Sequence, residues 1–125
     1  EPLPADRPLD EWQRIAALSG SDISAVENLL GDAQFDAYID AQVLGVVQPD
    51  MCKWGGFSKA LPLAKRIVAA GQRYCPHFLA GPIGVLSAAH CLAVAEGSGI
   101  LEIDANPNPL HERLTGGLPA SKTGS

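Results

Sequence analysis

Apolar residues recur at three- and four-residue steps in several stretches of the chain, and short β-branched or apolar runs bounded by Gly, Pro and polar residues lie between them. In residues 9–18 the stripe is Leu9, Trp12, Ile15 and Ala16, with Asp10 in the opening turn and Gly20 past the end, which predicts a helix. Residues 32–42 show the same spacing through Phe35, Tyr38 and Ile39. After the turn-forming Gly55-Gly56, residues Phe57, Leu61, Ala64 and Val68 fall on one helical face. Gly71 supplies the stop, and Pro62 is expected in the first turn or at a kink. Residues 84–95 form a helix candidate that is apolar almost all round. The strand candidates are residues 23–27, 45–49, 73–77 and 100–104; Gly45-Val46-Val47-Gln48-Pro49 is β-branched at its centre and reads as a buried strand.

The predicted order is a helix, three rounds of strand and helix, and a closing strand. Strands alternating with helices at this spacing need right-handed crossovers and a parallel sheet covered by helices, so the fold class is α/β. A doubly wound sheet and part of a (β/α) barrel both satisfy that order. Four polar residues separate them: Glu27, Asp50, His77 and Glu102 stand at or just beyond the four strand ends, 23, 27 and 25 residues apart. One βα unit per interval puts all four at the C-terminal rim, where barrel enzymes carry their chemistry.

Composition narrows the picture. Of 125 residues, 46% are hydrophobic and 18% charged, enough to bury a core as one folding unit. A net charge of −5 offers no basic face for a nucleic acid. No apolar run approaches the roughly 20 residues that span a bilayer, and no signal peptide is apparent, so the expectation is a cytoplasmic protein with no membrane partner. Cys52, Cys75 and Cys91 lie too far apart for a zinc ribbon or a CxxC pair and read as buried thiols. The chain opens Glu-Pro-Leu-Pro without Met and ends in a small polar stretch; both ends read as cut or processed.

The rim residues have a chemical logic. A carboxylate such as Glu27 is a hard ligand suited to Mg²⁺, which takes one or two protein carboxylates and fills its shell with water or substrate. His77 is the side chain best suited to move protons near neutral pH, and Asp50 is placed to fix its tautomer. Glu102, kept protonated among other acids, could donate to charge developing on a substrate. Lys53 either contacts substrate or pairs with the local acids. A lone histidine in an apolar-flanked strand is more often structural than catalytic, and neither His90, in an apolar helix, nor His111, in a terminal polar stretch, is assigned a function. Trp12 reads as core and Trp54 as packing at the rim. Gly81-Pro82-Ile83-Gly84 before a helix could meet an anion in the doubly wound alternative, but it matches neither GxGxxG nor the phosphate-loop pattern.

Five motifs in order carry a family resemblance: Glu1-Pro2-Leu3-Pro4; Val26-Glu27-Asn28-Leu29; Val47-Gln48-Pro49-Asp50 with Lys53-Trp54-Gly55-Gly56; Pro76-His77-Phe78; and Leu101-Glu102-Ile103-Asp104 with Asn106-Pro107-Asn108-Pro109. Together, over residues 1–112, they resemble the mandelate racemase and muconate lactonizing enzyme family of the enolase superfamily. The resemblance implies about half of a (β/α) TIM-type barrel, its C-terminal portion, in residues 1–112, followed by a polar tail at 113–125. It implies Mg²⁺ with Glu27 as the last of three acidic ligands. Glu1 then matches the acid beside the middle ligand, and that ligand lies outside the chain. It further implies an Asp50–His77 dyad of the mandelate racemase-like branch, Glu102 as the acid bonded to the substrate carboxylate, and Lys53 as a substrate-binding lysine.

The implied reaction is abstraction of the proton α to a carboxylate. Dehydration of a sugar acid (a lyase) is preferred over racemisation or epimerisation of a 2-hydroxy acid (an isomerase). The implied partners are a small carboxylic-acid substrate, a missing N-terminal part of the same protein, and further copies in a homo-oligomer. The chain by itself is expected to be inactive, and a barrel half without catalysis of its own is the competing reading. One position departs from the family: Val26 stands where Gly usually precedes the metal-binding glutamate.

Overall fold

A computed structural model describes residues 2–78, 81–104, 106, 109, 113 and 114. Glu1, His111, Pro107, Asn108 and most of the expected tail lie outside the described residues. The elements run α1 (Leu9–Leu18), β1 (Ser24–Ala25), α2 (Asp32–Asp40), β2 (Val46–Val47), α3 (Gly56–Ala69), β3 (Arg73–Tyr74) and α4 (Pro82–Ala95). The strands form one parallel sheet in the order β1-β2-β3, with Ser24 opposite Val46 and Val46 opposite Arg73. This is the unbroken succession of parallel units that a barrel wall requires, with no strand inserted out of order.

The strands are short, yet their hydrogen bonding extends past them. Arg73 N donates to Gly45 O, Cys75 N to Val47 O and His77 N to Pro49 O, at 2.9, 3.0 and 3.2 Å. Pro49 and Pro76 have no N–H to give, so the ladder thins where they occur. It continues through Pro49's carbonyl, and that last bond carries His77 to the rim.

The side of the sheet toward the helices is dry. Ala25, Val47 and Tyr74 are fully buried there, under a layer that includes Leu63, Ala64 and Ile67 of α3 and Ala88 and Cys91 of α4. Trp12, also fully buried, meets Tyr38 edge-on at 5.5 Å and ties α1 to α2. α3 opens after Gly55, whose φ of +74° suits glycine. Pro62 stands in the interior of α3 and not in its first turn, and the helix runs on to Ala69.

Three sequence expectations need correction. The buried stripe of α3 is Ala60, Leu63, Ala64 and Ile67, whereas Phe57 is half exposed. Two adjacent stripes of this helix satisfy the same periodicity, and small Ala60 and Ala64 give the closer packing face. Residues 100–104 are not a strand: their backbone tie to β3's extension is Glu102 N to Pro76 O at 3.4 Å. Cys52 is exposed, while Cys75 and Cys91 are buried as expected, and all three are free thiols. No helix among the described residues is long and apolar enough to cross a membrane.

Candidate active site

The ends of the three strands, with residues 100–104 beside them, bring most of the expected residues together. His77 is 2% exposed, and its ring is flanked by two carboxylates: Nε2 lies 3.1 Å from Glu27 Oε2 and Nδ1 lies 3.8 Å from Glu102 Oε2. Nδ1 has no hydrogen-bond partner. Lys53 completes the cluster, its Nζ 3.5 Å from Glu27 Oε1, 3.9 Å from Asp50 Oδ2 and 2.9 Å from Asn28 Oδ1. One ammonium and one imidazole therefore face three carboxylates around a partly open mouth.

Asp50 is placed differently from the expected dyad. Its Oδ1 accepts the N–H groups of Cys52 at 2.8 Å and Lys53 at 3.3 Å, so the carboxylate caps its own turn. Within ion-pair distance, the acids on the imidazole are Glu27 and Glu102, and Asp50 is tied to His77 through the backbone bond to Pro49 O. Beside Asp50, burial first and the aspartate's charge second push the Cys52 thiol above its usual range. That disfavours a reactive thiolate.

Two backbone features hold the rim in place. Val26, fully buried, has φ +82°, the left-handed region that a β-branched residue enters only under strain. The glycine that the sequence resemblance implies at this position thus has a physical reason, and here the strain sits directly before Glu27. At Gly99 an added Cβ would come within 1.8 Å of Tyr74 O, so only glycine lets the segment leading to Glu102 lie against β3.

Two residues given no role from sequence belong to this constellation. Gln48 Nε2 donates to Glu102 Oε2 at 3.0 Å, and the Ser24 hydroxyl meets Gln48 Oε1. Alternation along β1 and β2 turns both away from the helices, a signal available from sequence once the strands are located. With Val46, Arg73, Cys75 and Glu102 they line a cavity of about 260 Å³ on the uncovered face of the sheet. His90 is exposed on α4, away from these residues. Among the described residues no group of three or more His, Cys, Asp or Glu side chains is placed to hold a metal ion. Glu27 is a single half-exposed carboxylate, suited to be one ligand of a hard cation and insufficient alone.

Comparison with known proteins bears on the family and the fold. The enolase C-terminal domain-like family matches residues 1–125. The chain is similar to D-galactonate dehydratases of Klebsiella pneumoniae (strain 342) and Ralstonia nicotianae, 28% and 29% identical over 90 residues, covering 72% of this chain and 23% of each relative. It thus spans about a quarter of the length of these curated relatives. A mandelate racemase/muconate lactonizing enzyme structure from Bordetella bronchiseptica RB50 superposes with a TM-score of 0.85 at 49% identity, covering 88% of this chain and 31% of that one. An enolase of the mandelate racemase subgroup from Agrobacterium tumefaciens superposes with a TM-score of 0.75 at 29% identity, covering 82% and 28%.

Proposed function

The chain belongs to the enolase C-terminal domain-like family, in its mandelate racemase and muconate lactonizing branch, and from that premise we propose that the protein carrying it abstracts the proton α to a carboxylate and dehydrates a sugar acid. The observation that supports this most is the buried imidazole of His77 held between Glu27 and Glu102. The similarity to D-galactonate dehydratases favours dehydration among the reactions open to such a site.

In this reading His77 Nε2 is the atom that moves the proton at the substrate, either from the α-carbon or onto the departing hydroxyl. Glu102 contacts the substrate carboxylate, and Lys53 binds the substrate from the Glu27 side. Asp50 orients His77 indirectly, by fixing the turn whose Pro49 carbonyl holds the His77 backbone. Glu27 is the one described side chain that would hold Mg²⁺, and the other acids it needs would come from outside the described residues. When bound, the metal supplies positive charge toward the doubly negative group left by loss of the α-proton. The substrate is then a small carboxylic acid. The isolated 125-residue chain is expected to show no turnover, since among the described residues no group of three or more acidic, His or Cys side chains is placed to hold the metal.

The test uses the full-length protein with Mg²⁺ and D-galactonate, following the 2-keto-3-deoxy product and deuterium uptake at the α-carbon from heavy water. Product formation that His77→Asn abolishes supports the proposal. Deuterium uptake with a new epimer and no keto product would make it a racemase or epimerase of a 2-hydroxy acid. Neither signal across a panel of sugar acids and 2-hydroxy acids would overturn it. Calorimetric titration with Mg²⁺ decides the metal role separately, because Glu27→Gln must weaken binding.

A further inference from the structure

A line of polar side chains reaches the mouth from the uncovered face of the sheet, and the proposed reaction assigns it no work. Ser24 on β1 meets Gln48 Oε1 just beyond β2, Gln48 Nε2 donates to Glu102 Oε2 at 3.0 Å, and that same oxygen lies 3.8 Å from His77 Nδ1. A glutamine amide has one accepting end and one donating end, and a half-turn exchanges them. Here both ends are taken. The Ser24 hydroxyl donates to Oε1, which leaves Nε2 for Glu102.

The consequence falls on Glu102. With Oε2 accepting from Gln48 Nε2, Oε1 is the oxygen left to meet the substrate, and it has no hydrogen-bond partner among the described residues. We propose that Ser24 and Gln48 are positioning residues that fix which oxygen of Glu102 meets the substrate carboxylate. The proposal rests on the reading of Glu102 as the substrate contact. The Gly99 approach to Tyr74 O adds a backbone restraint on the same segment, so Glu102 is fixed both from its chain and from its Oε2.

The experiment has one arm that needs no turnover. In the full-length protein labelled with ¹⁵N-glutamine, the Gln48 side-chain amide is identified by its loss in Gln48→Leu. That signal must shift in Glu102→Gln, which replaces the carboxylate that accepts from its Nε2. Ser24→Ala must shift it and Ser24→Thr, which keeps the hydroxyl, must restore it. An amide signal indifferent to Glu102→Gln and to Ser24→Ala overturns the proposal.

The second arm is steady-state kinetics on D-galactonate. Gln48→Leu is expected to lower kcat/KM by about tenfold, the effect of one lost hydrogen bond to a charged group, and Ser24→Ala, which loses a bond between neutral groups, by less. Ser24→Thr should recover it. Wild-type kinetics in both Ser24→Ala and Gln48→Leu overturn the positioning role. If the protein turns over no acid at all, the functional reading fails while the amide shifts still decide the linkage.

Discussion

The two faces of the sheet are built from alternate residues of the same short strands, and they are made for different neighbours. Ala25, Val47 and Tyr74 face the helices and are fully buried. Ser24, Val46 and Arg73 face the other way and are only partly covered. The helix-facing side is apolar and gains its free energy from area removed from water, which is insensitive to orientation. The uncovered side carries Ser24, Gln48 and, at the rim, the acids and His77, whose worth depends on angles and partners. One strand residue therefore serves the fold and the next serves the site.

The sharpest way to break that division is to exchange the penalties. On the uncovered side, His77→Asn is expected to lower the rate by about 10²–10⁴-fold, the scale of general acid–base catalysis. Its thermal midpoint should stay near wild type, since Asn keeps a polar side chain beside Glu27 and the lost Nδ1 has no hydrogen-bond partner. A large loss of stability together with the rate would show His77 to be structural. On the helix side, Ile67→Ala removes a fully buried side chain from α3. It is expected to cost about 2–5 kcal/mol in denaturant unfolding while the turnover number at low temperature stays unchanged. Lost turnover in a still-folded Ile67→Ala protein would mean the two faces are not separable.

Much of this division is legible in the sequence. Periodicity places α1 to its ends, and the strand-end spacing gathers Glu27, His77 and Glu102 before any coordinates are known. Periodicity also misleads where two answers share one pattern, as in α3, whose apolar positions allow two stripes and whose small alanines choose between them. The segment before Glu102 reads as a strand because Ile100, Leu101 and Ile103 look like one. Just before it Gly99 lies against Tyr74 O, a close approach made across 25 residues that no local window contains. The same holds for Asp50: its position was readable, but the turn that takes up its carboxylate is a three-dimensional competition between Cys52 N–H and His77.

Val26 tests how the two faces meet. Its side chain is fully buried while its backbone is held at φ +82° next to Glu27. Removing the side chain forfeits about 1.5–3 kcal/mol of burial. Relieving the backbone returns about 1–3 kcal/mol, but only if the new residue is glycine. At an ordinary buried site glycine is worse than alanine by about 0.5–1 kcal/mol. Here Val26→Gly should be more stable than Val26→Ala in denaturant unfolding, the reverse of the usual order. If alanine is the better tolerated, the left-handed backbone at this position is not what holds Glu27.

The smallest expected effect lies outside both faces and marks their limit. Asp32 at the start of α2 binds Lys59 at 2.7 Å and Arg66 at 3.5 Å, and both partners belong to α3. The hydrogen bond from Lys59 is the largest influence, and with Arg66 it holds the carboxyl below the ordinary aspartate range against a smaller opposing effect of burial. A folded pKa below the unfolded one means that the pair stabilises fully above the ordinary range. That stabilisation is lost as pH falls through the folded value. The group is solvent-exposed and screened by salt, so the effect is small. Thermal melts of wild type and Asp32→Asn should therefore differ slightly at neutral pH and low salt, converge as the pH drops below the carboxylate range, and converge equally in high salt. A difference that survives both acid and salt would mean that Asp32 acts through packing between α2 and α3, and that the helix layer depends on something other than buried apolar area.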